Sequence, residues 1–295
     1  MNCLLILGDN VYSNKNVYSK EEIERLGLKP KNHSVNTLTN GIECLLRQDD
    51  LELYKDTHIV LGNHNIVKNK KGNACAVYKL QKNIHSLSRH LHSQYPYNSI
   101  IINEHGIRLK LIFIDTNFTD LGLDYLGDSC IANNSENLTK LQRQLSWLND
   151  ELDNTNGADH VIVIGHCPIF SNKYKDNKQG YKVTKIDELI KTLGSRMEKE
   201  NIIYLCADTH MYQLLKMSNP TSKASLFEIV CGTGEAKLDP RAEIKGNSRE
   251  SFEMEYNGYL FKKDHEIDYT YGYCKIHLFK KKISVNFIEI MKDTH

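Results

Sequence analysis

The chain has 295 residues, enough for one large domain or two small ones with a sizeable core. Apolar residues make up 40% and charged residues 25%, the balance of an ordinary globular protein rather than a disordered one. A formal net charge of +1 supplies no general attraction for nucleic acid or for an anionic membrane.

The N-terminus is apolar for only a few residues, has no basic segment and runs straight into Asp9, so it reads as neither signal peptide nor membrane span. The expected setting is cytoplasmic, or the virion and host cytoplasm for a viral chain. An Asn-, Lys- and Tyr-rich composition fits an AT-rich genome such as that of a virus or a protist. Eight cysteines are scattered without a CxxC pair. Cys44, Cys167, Cys206 and Cys231 sit in apolar runs and read as small buried hydrophobes of a reducing compartment. The basic runs Lys68–Lys71 and Lys280–Lys282 read as solvated loop or hairpin tips. No repeat and no Pro/Gly/Ser linker divides the chain, so residues 1–295 are expected to form a single domain.

In chain order, Leu4–Leu7 is a short apolar run of strand length, although periodicity alone does not separate it from a buried helix segment. Glu21–Leu26 can start a helix. Val35–Arg47 has Leu38, Ile42 and Leu45 at helical spacing before a strand at Thr57–Leu61. Asn63–Gly72 reads as a loop and Ala74–His92 as a helix. Ile100–Asn103 and Leu109–Asp115 flank His105-Gly106, a hairpin turn. Phe118–Asn137 reads as irregular. Leu138–Leu152 is the clearest helix, with Leu138, Leu141, Leu145, Leu148 and Leu152 on one stripe. A strand at Val161–Ile164, a polar loop at Ser171–Gly180, a helix at Asp187–Glu200 and a strand at Ile202–Cys206 follow. Leu226–Cys231 is a strand that ends at Gly232-Thr233-Gly234, and Glu235–Glu255 reads as loop. Tyr273–Leu278 and Ile283–Ile290 form a C-terminal hairpin joined by Phe279–Lys282. Strands mix with helices throughout, an α+β pattern of sheets flanked by helices.

Four of these apolar runs share a design: LLILGD, IVLGNHN, VIVIGH and IIYLCADTH each end in Asp, Asn or His. Singly, each ending has an ordinary explanation as a turn or loop cap. Together, Asp9, Asn63, His166 and His210 are oxygen and imidazole donors at the ends of strands expected to be neighbours, which is what a divalent metal site needs.

These motifs resemble the calcineurin-like metallophosphoesterases, and within them the small, tartrate-resistant type of purple acid phosphatase. Gly8–Tyr12 (GDNVY) is similar to the family's GDxxY, Gly62–Asn65 (GNHN) to GNH[DE], and Val163–His166 (VIGH) to VxxH. Ala207–His210 (ADTH) stands where the family has GHxH. Ile114-Asp115-Thr116, Gln144–Leu148, Gly165–Pro168, Tyr204-Leu205-Cys206, Gln213, Cys231–Gly234 and Asn257–Leu260 resemble its spacer segments. The resemblance implies a four-layer α/β/β/α sandwich with two metal ions between the sheet ends, iron with zinc, manganese or a second iron.

By resemblance, Asp9 bridges the two ions, Tyr12 and His210 bind the first, and Asn63 and His166 bind the second. His64 is then the acid that protonates the leaving group. The implied reaction is hydrolysis of a phosphate monoester, on a phosphorylated small molecule or a phosphoprotein. Two metals clamp the phosphate and turn a bound water into the hydroxide nucleophile. Three departures stand out. The family's first motif, an aspartate after an earlier strand, has no counterpart here, so the first strand of the sandwich is expected to be missing. Asn65 replaces an acid. Asp208 replaces a histidine ligand of the second metal and, as a hard carboxylate, moves that site toward Mn²⁺ or Mg²⁺. The alternative to an active enzyme is a degenerate relative that keeps the fold as a binding or structural protein.

Overall fold

The computed structural model describes residues 3–7, 56–60, 62, 97–116, 134–171, 182–183, 187–197, 201–221, 223–232, 253–267 and 271–290. The helices read at Glu21–Leu26, Val35–Arg47 and Ala74–His92 lie outside them. Among the described residues no helix is long and apolar enough to cross a membrane.

The first strands are β1 (Cys3–Ile6), β2 (Asp56–Ile59), β3 (Asn98–Glu104) and β4 (Ile107–Phe113). Helix α1 (Asn134–Asp153) is followed by β5 (His160–Ile164), the two-residue β6 (Phe170–Ser171) and β7 (Lys182–Val183), and helix α2 (Asp187–Arg196). Then come β8 (Ile202–Cys206), β9 (Tyr212–Ser218), β10 (Ser225–Cys231), β11 (Glu253–Tyr256), β12 (Tyr259–Ile267), β13 (Tyr271–Phe279) and β14 (Lys282–Ile290). The main sheet has eight strands in the order β11-β12-β9-β10-β8-β5-β4-β3. Its centre, β10, β8, β5 and β4, is parallel, and antiparallel strands close both sides.

Period-two alternation in the central strands feeds two separate cores. Ile112, Ile114, Val163, Tyr204 and Val230 face the leucine stripe of α1 (Leu141, Leu145, Leu148, Leu152) and Leu189, Ile190 and Leu193 of α2. Leu111, Phe113, Ile162, Ile164, Leu205 and Ile229 face the other way, onto Leu5, Leu7 and Val60 and onto Cys274, Ile276, Leu278, Val285 and Phe287 of the C-terminal hairpin. The architecture is therefore an α+β sandwich of helices, large sheet and a second β layer.

The structure changes three parts of the sequence reading. The four motif strands do not lie side by side in one sheet. β1 pairs only with β2 among the described residues, and β5 pairs with β8. Both pairs have an apolar face, and the molecule buries them by stacking layers rather than by widening one sheet. The sequence does not mark β9 and β12 as strands, because Gln213, Lys216 and the Lys262–Glu266 run break their apolar patterns. Their hydrogen bonds to sheet neighbours override that local signal. β11 and β12 also meet at Asn257-Gly258, both at positive φ (50° and 79°), the backbone of a tight hairpin turn. Helix α1 begins a turn earlier than its leucine stripe, and α2 ends at Arg196 rather than Glu200.

The C-terminal end of α1 has no basic residue of its own in the last turn. Its carbonyls are capped from outside. Lys110, buried on β4, donates to the carbonyls of Glu151 (2.7 Å) and Asn154 (2.5 Å) and pairs with the Glu151 carboxylate at 2.8 Å. Arg196 of α2 donates to the Asn149 carbonyl at 3.1 Å and pairs with Asp153. Lys110→Met keeps the chain length but removes every donor. It should cost about 3 kcal/mol, because buried acceptors then lose their partner, measured as a lowered urea midpoint with unchanged slope.

Candidate metal centre

The parallel strands β5 and β8 end together, and their ladder continues past the strands into the loops that carry polar side chains. Gly165 donates to the Leu205 carbonyl (3.0 Å), and Ala207 donates to the His166 carbonyl (2.8 Å). His166 and Asp208 are thereby fixed at one edge of the sheet, beyond the carboxyl ends of parallel strands, where open α/β sheets place their ligands.

His166 is completely buried. Its Nδ1 lies 2.7 Å from the carbonyl oxygen of Leu7, at the end of β1. A carbonyl can only accept, so Nδ1 carries a proton, and in the neutral ring Nε2 then keeps the lone pair. Nε2 lies 3.7 Å from Asp208 Oδ1, too far for a hydrogen bond. Two donors each about 2.1 Å from a shared ion lie roughly 3.0 to 4.2 Å apart, for angles between about 90° and 180°. The pair has that spacing. The sulfur of Cys167 completes a buried group of three donor atoms that all lie within 4.8 Å of one another. An imidazole nitrogen, a carboxylate oxygen and a sulfur are a donor set that fits a divalent transition metal.

Asp208 reaches this position through an unusual backbone. Its φ is 55°, in the left-handed region, and the Thr209 N–H closes on the Ala207 carbonyl across it at 2.6 Å. Three-residue turns of that hand are rare and strained. A second short turn follows, with Met211 N–H on the Thr209 carbonyl at 2.8 Å. Gly232, just past β10, backs onto this turn so closely that a Cβ there would lie 1.9 Å from the Thr209 oxygen. His210, half-buried, leaves the same turn and is not part of the three-donor group.

A shell of buried polar groups holds the His166 segment. The Thr116 hydroxyl accepts from the amides of His166 (3.0 Å) and Cys167 (2.8 Å). The Tyr204 hydroxyl donates to the Cys167 carbonyl at 2.7 Å. Burial pushes the Tyr204 phenol well above its ordinary value, so it remains a donor. Gly165 makes room for both, since a Cβ there would meet Tyr204 Oη at 2.3 Å and Thr116 Cγ2 at 2.8 Å. Gln144 of α1 in turn grips the Asp115 backbone on both sides, at 2.9 and 2.8 Å. Farther along, the Glu228 carboxyl receives the amides of Ile169 (2.5 Å) and Phe170 (3.1 Å) and the Cys206 thiol (3.5 Å). Burial raises Glu228 from its ordinary 4.5 to about 8, against the lowering effect of those donors.

Residues 2–212 match the sequence pattern of the calcineurin-like phosphoesterases. The chain belongs to that family. It is accordingly a metal-dependent phosphoester hydrolase by descent, and metal ions are the family's cofactors. The match runs from β1 to the first residue of β9 and includes every donor described above. No curated protein matches the chain.

Of the residues singled out in the sequence, the fold brings His166 and Asp208 together and sets His210 two residues beyond Asp208. Asp9, Tyr12, Asn63 and His64 lie outside the described residues. Sequence reasoning missed Cys167 as a donor, having taken it for a small hydrophobe. It also gave no role to Thr116, Gln144 or the Leu7 carbonyl. A signal for the first two existed in Ile114-Asp115-Thr116 and Gln144–Leu148, segments that resemble family spacers. Nothing in a sequence marks a backbone carbonyl.

Thr116→Val keeps the shape and removes the acceptor of two buried amides. It should destabilise the chain by about 2–4 kcal/mol, while Thr116→Ser stays close to wild type in chemical unfolding. Glu228 gives a pH signature. The folded chain holds its proton more tightly than the unfolded chain, so the stability is fully present below about 4.5 and is lost as pH rises toward 8. The slope is at most about 1.4 kcal/mol per pH unit. Glu228→Gln should flatten it, seen by comparing the two proteins' unfolding free energies across that range.

Proposed function

We propose that the chain hydrolyses phosphate monoesters with two metal ions, in the manner of the purple acid phosphatases, on a phosphorylated small molecule or a phosphoprotein. The observation that carries this reading is the buried pairing of an imidazole nitrogen with a carboxylate oxygen, 3.7 Å apart, at the ends of adjacent parallel strands within the family-matched region. In this reading Asp9, Tyr12 and His210 hold one ion, and Asp9, Asn63, His166 and Asp208 hold the other, with iron at the first. When bound, the ions neutralise the phosphate charge and activate water for in-line attack. His64 donates a proton to the leaving oxygen.

The chain's own contribution at the second site is orientation. His166 offers Nε2 because Nδ1 is committed to Leu7, which fixes the ring's tautomer and raises its basicity. Asp208 brings negative charge and Cys167 a soft sulfur, two donors with opposite preferences among metals. A thiolate at 167 draws the site toward Zn²⁺ or Co²⁺ and away from the Mn²⁺ or Mg²⁺ that a carboxylate favours.

Titration of the full chain with Co²⁺, read by absorption and by hydrolysis of p-nitrophenyl phosphate, tests the proposal. Wild type should bind and hydrolyse. His166→Ala should lose affinity by more than the roughly 10–100-fold that removal of a second-shell partner costs. Cys167→Ser should keep binding but lose thiolate-to-cobalt absorption in the near ultraviolet. Tight binding without metal-dependent hydrolysis would refute the phosphatase reading.

A further inference from the structure

Beyond the family-matched region, two cysteines on different layers meet. Cys231 ends β10 in the large sheet, opposite Tyr212 of β9. Cys274 lies in β13 of the C-terminal hairpin, opposite Phe287 of β14. The Tyr212 and Phe287 rings pack across the two layers with centroids 4.8 Å apart. Each cysteine is therefore the cross-strand neighbour of one ring of the pair, and the layers bring the two thiols together. The Cys274 side chain and its backbone N–H both lie close enough to the Cys231 sulfur to act on it electrostatically. A backbone amide that near the partner's sulfur places the two main chains close, as a disulfide requires. The Cys274 side chain and amide favour the Cys231 thiolate against its burial, while the side-chain interaction with Cys231, then burial and the Cys231 charge, push the Cys274 thiol up. Both residues are only half-buried, unlike the fully buried Cys167 and Cys206.

We propose that Cys231 and Cys274 form a dithiol oxidation site that a small-molecule disulfide converts to an intramolecular disulfide, stapling the C-terminal hairpin to the sheet end behind the Asp208–His210 turn. The chemistry is two thiol–disulfide exchanges. The Cys231 thiolate attacks one sulfur of the reagent disulfide, forming a mixed disulfide and releasing one thiolate. Cys274 then loses its proton, and its sulfur attacks the Cys231 sulfur and expels the second thiolate. The protein dithiol is oxidised by two electrons and the reagent is reduced to two thiols. Gly232 carries the consequence, since it follows Cys231 directly and packs against Thr209 and the His210 Cα. Fixing Cys231 to the hairpin fixes the rear wall of that turn.

The test is oxidation of the native full chain with oxidised glutathione, followed by alkylation, digestion and peptide mass analysis. The expected product is a linked peptide pair joining 231 and 274, with loss of two alkylatable thiols. Hydrogen exchange across residues 206–211 slows relative to the reduced chain, and a dithiol reductant reverses both changes. In Cys274→Ser the reaction stops at a glutathione adduct on Cys231. Failure of the 231–274 link to form while other cysteines take up glutathione overturns the proposal, as does Cys231 or Cys274 pairing preferentially with a different cysteine. Neither result depends on metal binding or on phosphatase activity.

Discussion

The hydrogen bond from His166 Nδ1 to the Leu7 carbonyl joins two parts of the molecule that share no strand pairing among the described residues. It crosses from the large sheet to the second β layer, and it selects the imidazole tautomer. Because it is a side chain to backbone contact, its length depends on how the two layers stack. The apolar residues between them, Leu5, Leu7 and Val60 against Phe113, Ile162 and Ile164, set that spacing. Layer packing and donor chemistry are thus one problem: a shift between the sheets turns the ring whose Nε2 faces Asp208.

Around that bond, several buried polar groups do work that apolar groups cannot do. Thr116, Gln144, Tyr204 and Glu228 each bind the backbone of a segment leaving a strand, and together they hold it at Asp115, His166, Cys167 and Phe170. Loops would normally sit at the surface to satisfy their amides with water. Here side chains from β8, β10 and α1 replace the water, so the loops stay inside and rigid donor positions follow. The two strand ends differ in how they achieve this. His166 is held by hydrogen bonds to its neighbours, whereas Asp208 is held by a strained backbone braced by Gly232.

Much of this was legible in the residues. The central strands, both described helices, the His105-Gly106 turn and the C-terminal hairpin announce themselves through periodicity and turn chemistry. The motif strands also carry their donors at their ends. What could not be read was the third dimension of that pattern. Apolar runs in β1 and β5 look alike, and nothing local tells which sheet each joins. β9 and β12 escaped notice because lysines and a glutamine interrupt them, and sheet pairing decides strands as much as composition does. Cys167 illustrates the opposite limit. Its neighbourhood in the sequence is apolar, and only the bend after β5 turns its sulfur toward His166 and Asp208.

The left-handed conformation at position 208 also governs how this site can change over generations. Most side chains are disfavoured at a φ of 55°, while asparagine, aspartate, histidine and glycine are tolerated. Three of those four carry a donor atom suited to metals. The turn therefore acts as a filter on drift. A lineage passing through random substitutions at this position keeps mainly residues that can still coordinate, and exchanges a carboxylate for an amide or an imidazole without disturbing the chain around it. Selection for a different metal supply could then act through one codon, on a scaffold already built to accept the result.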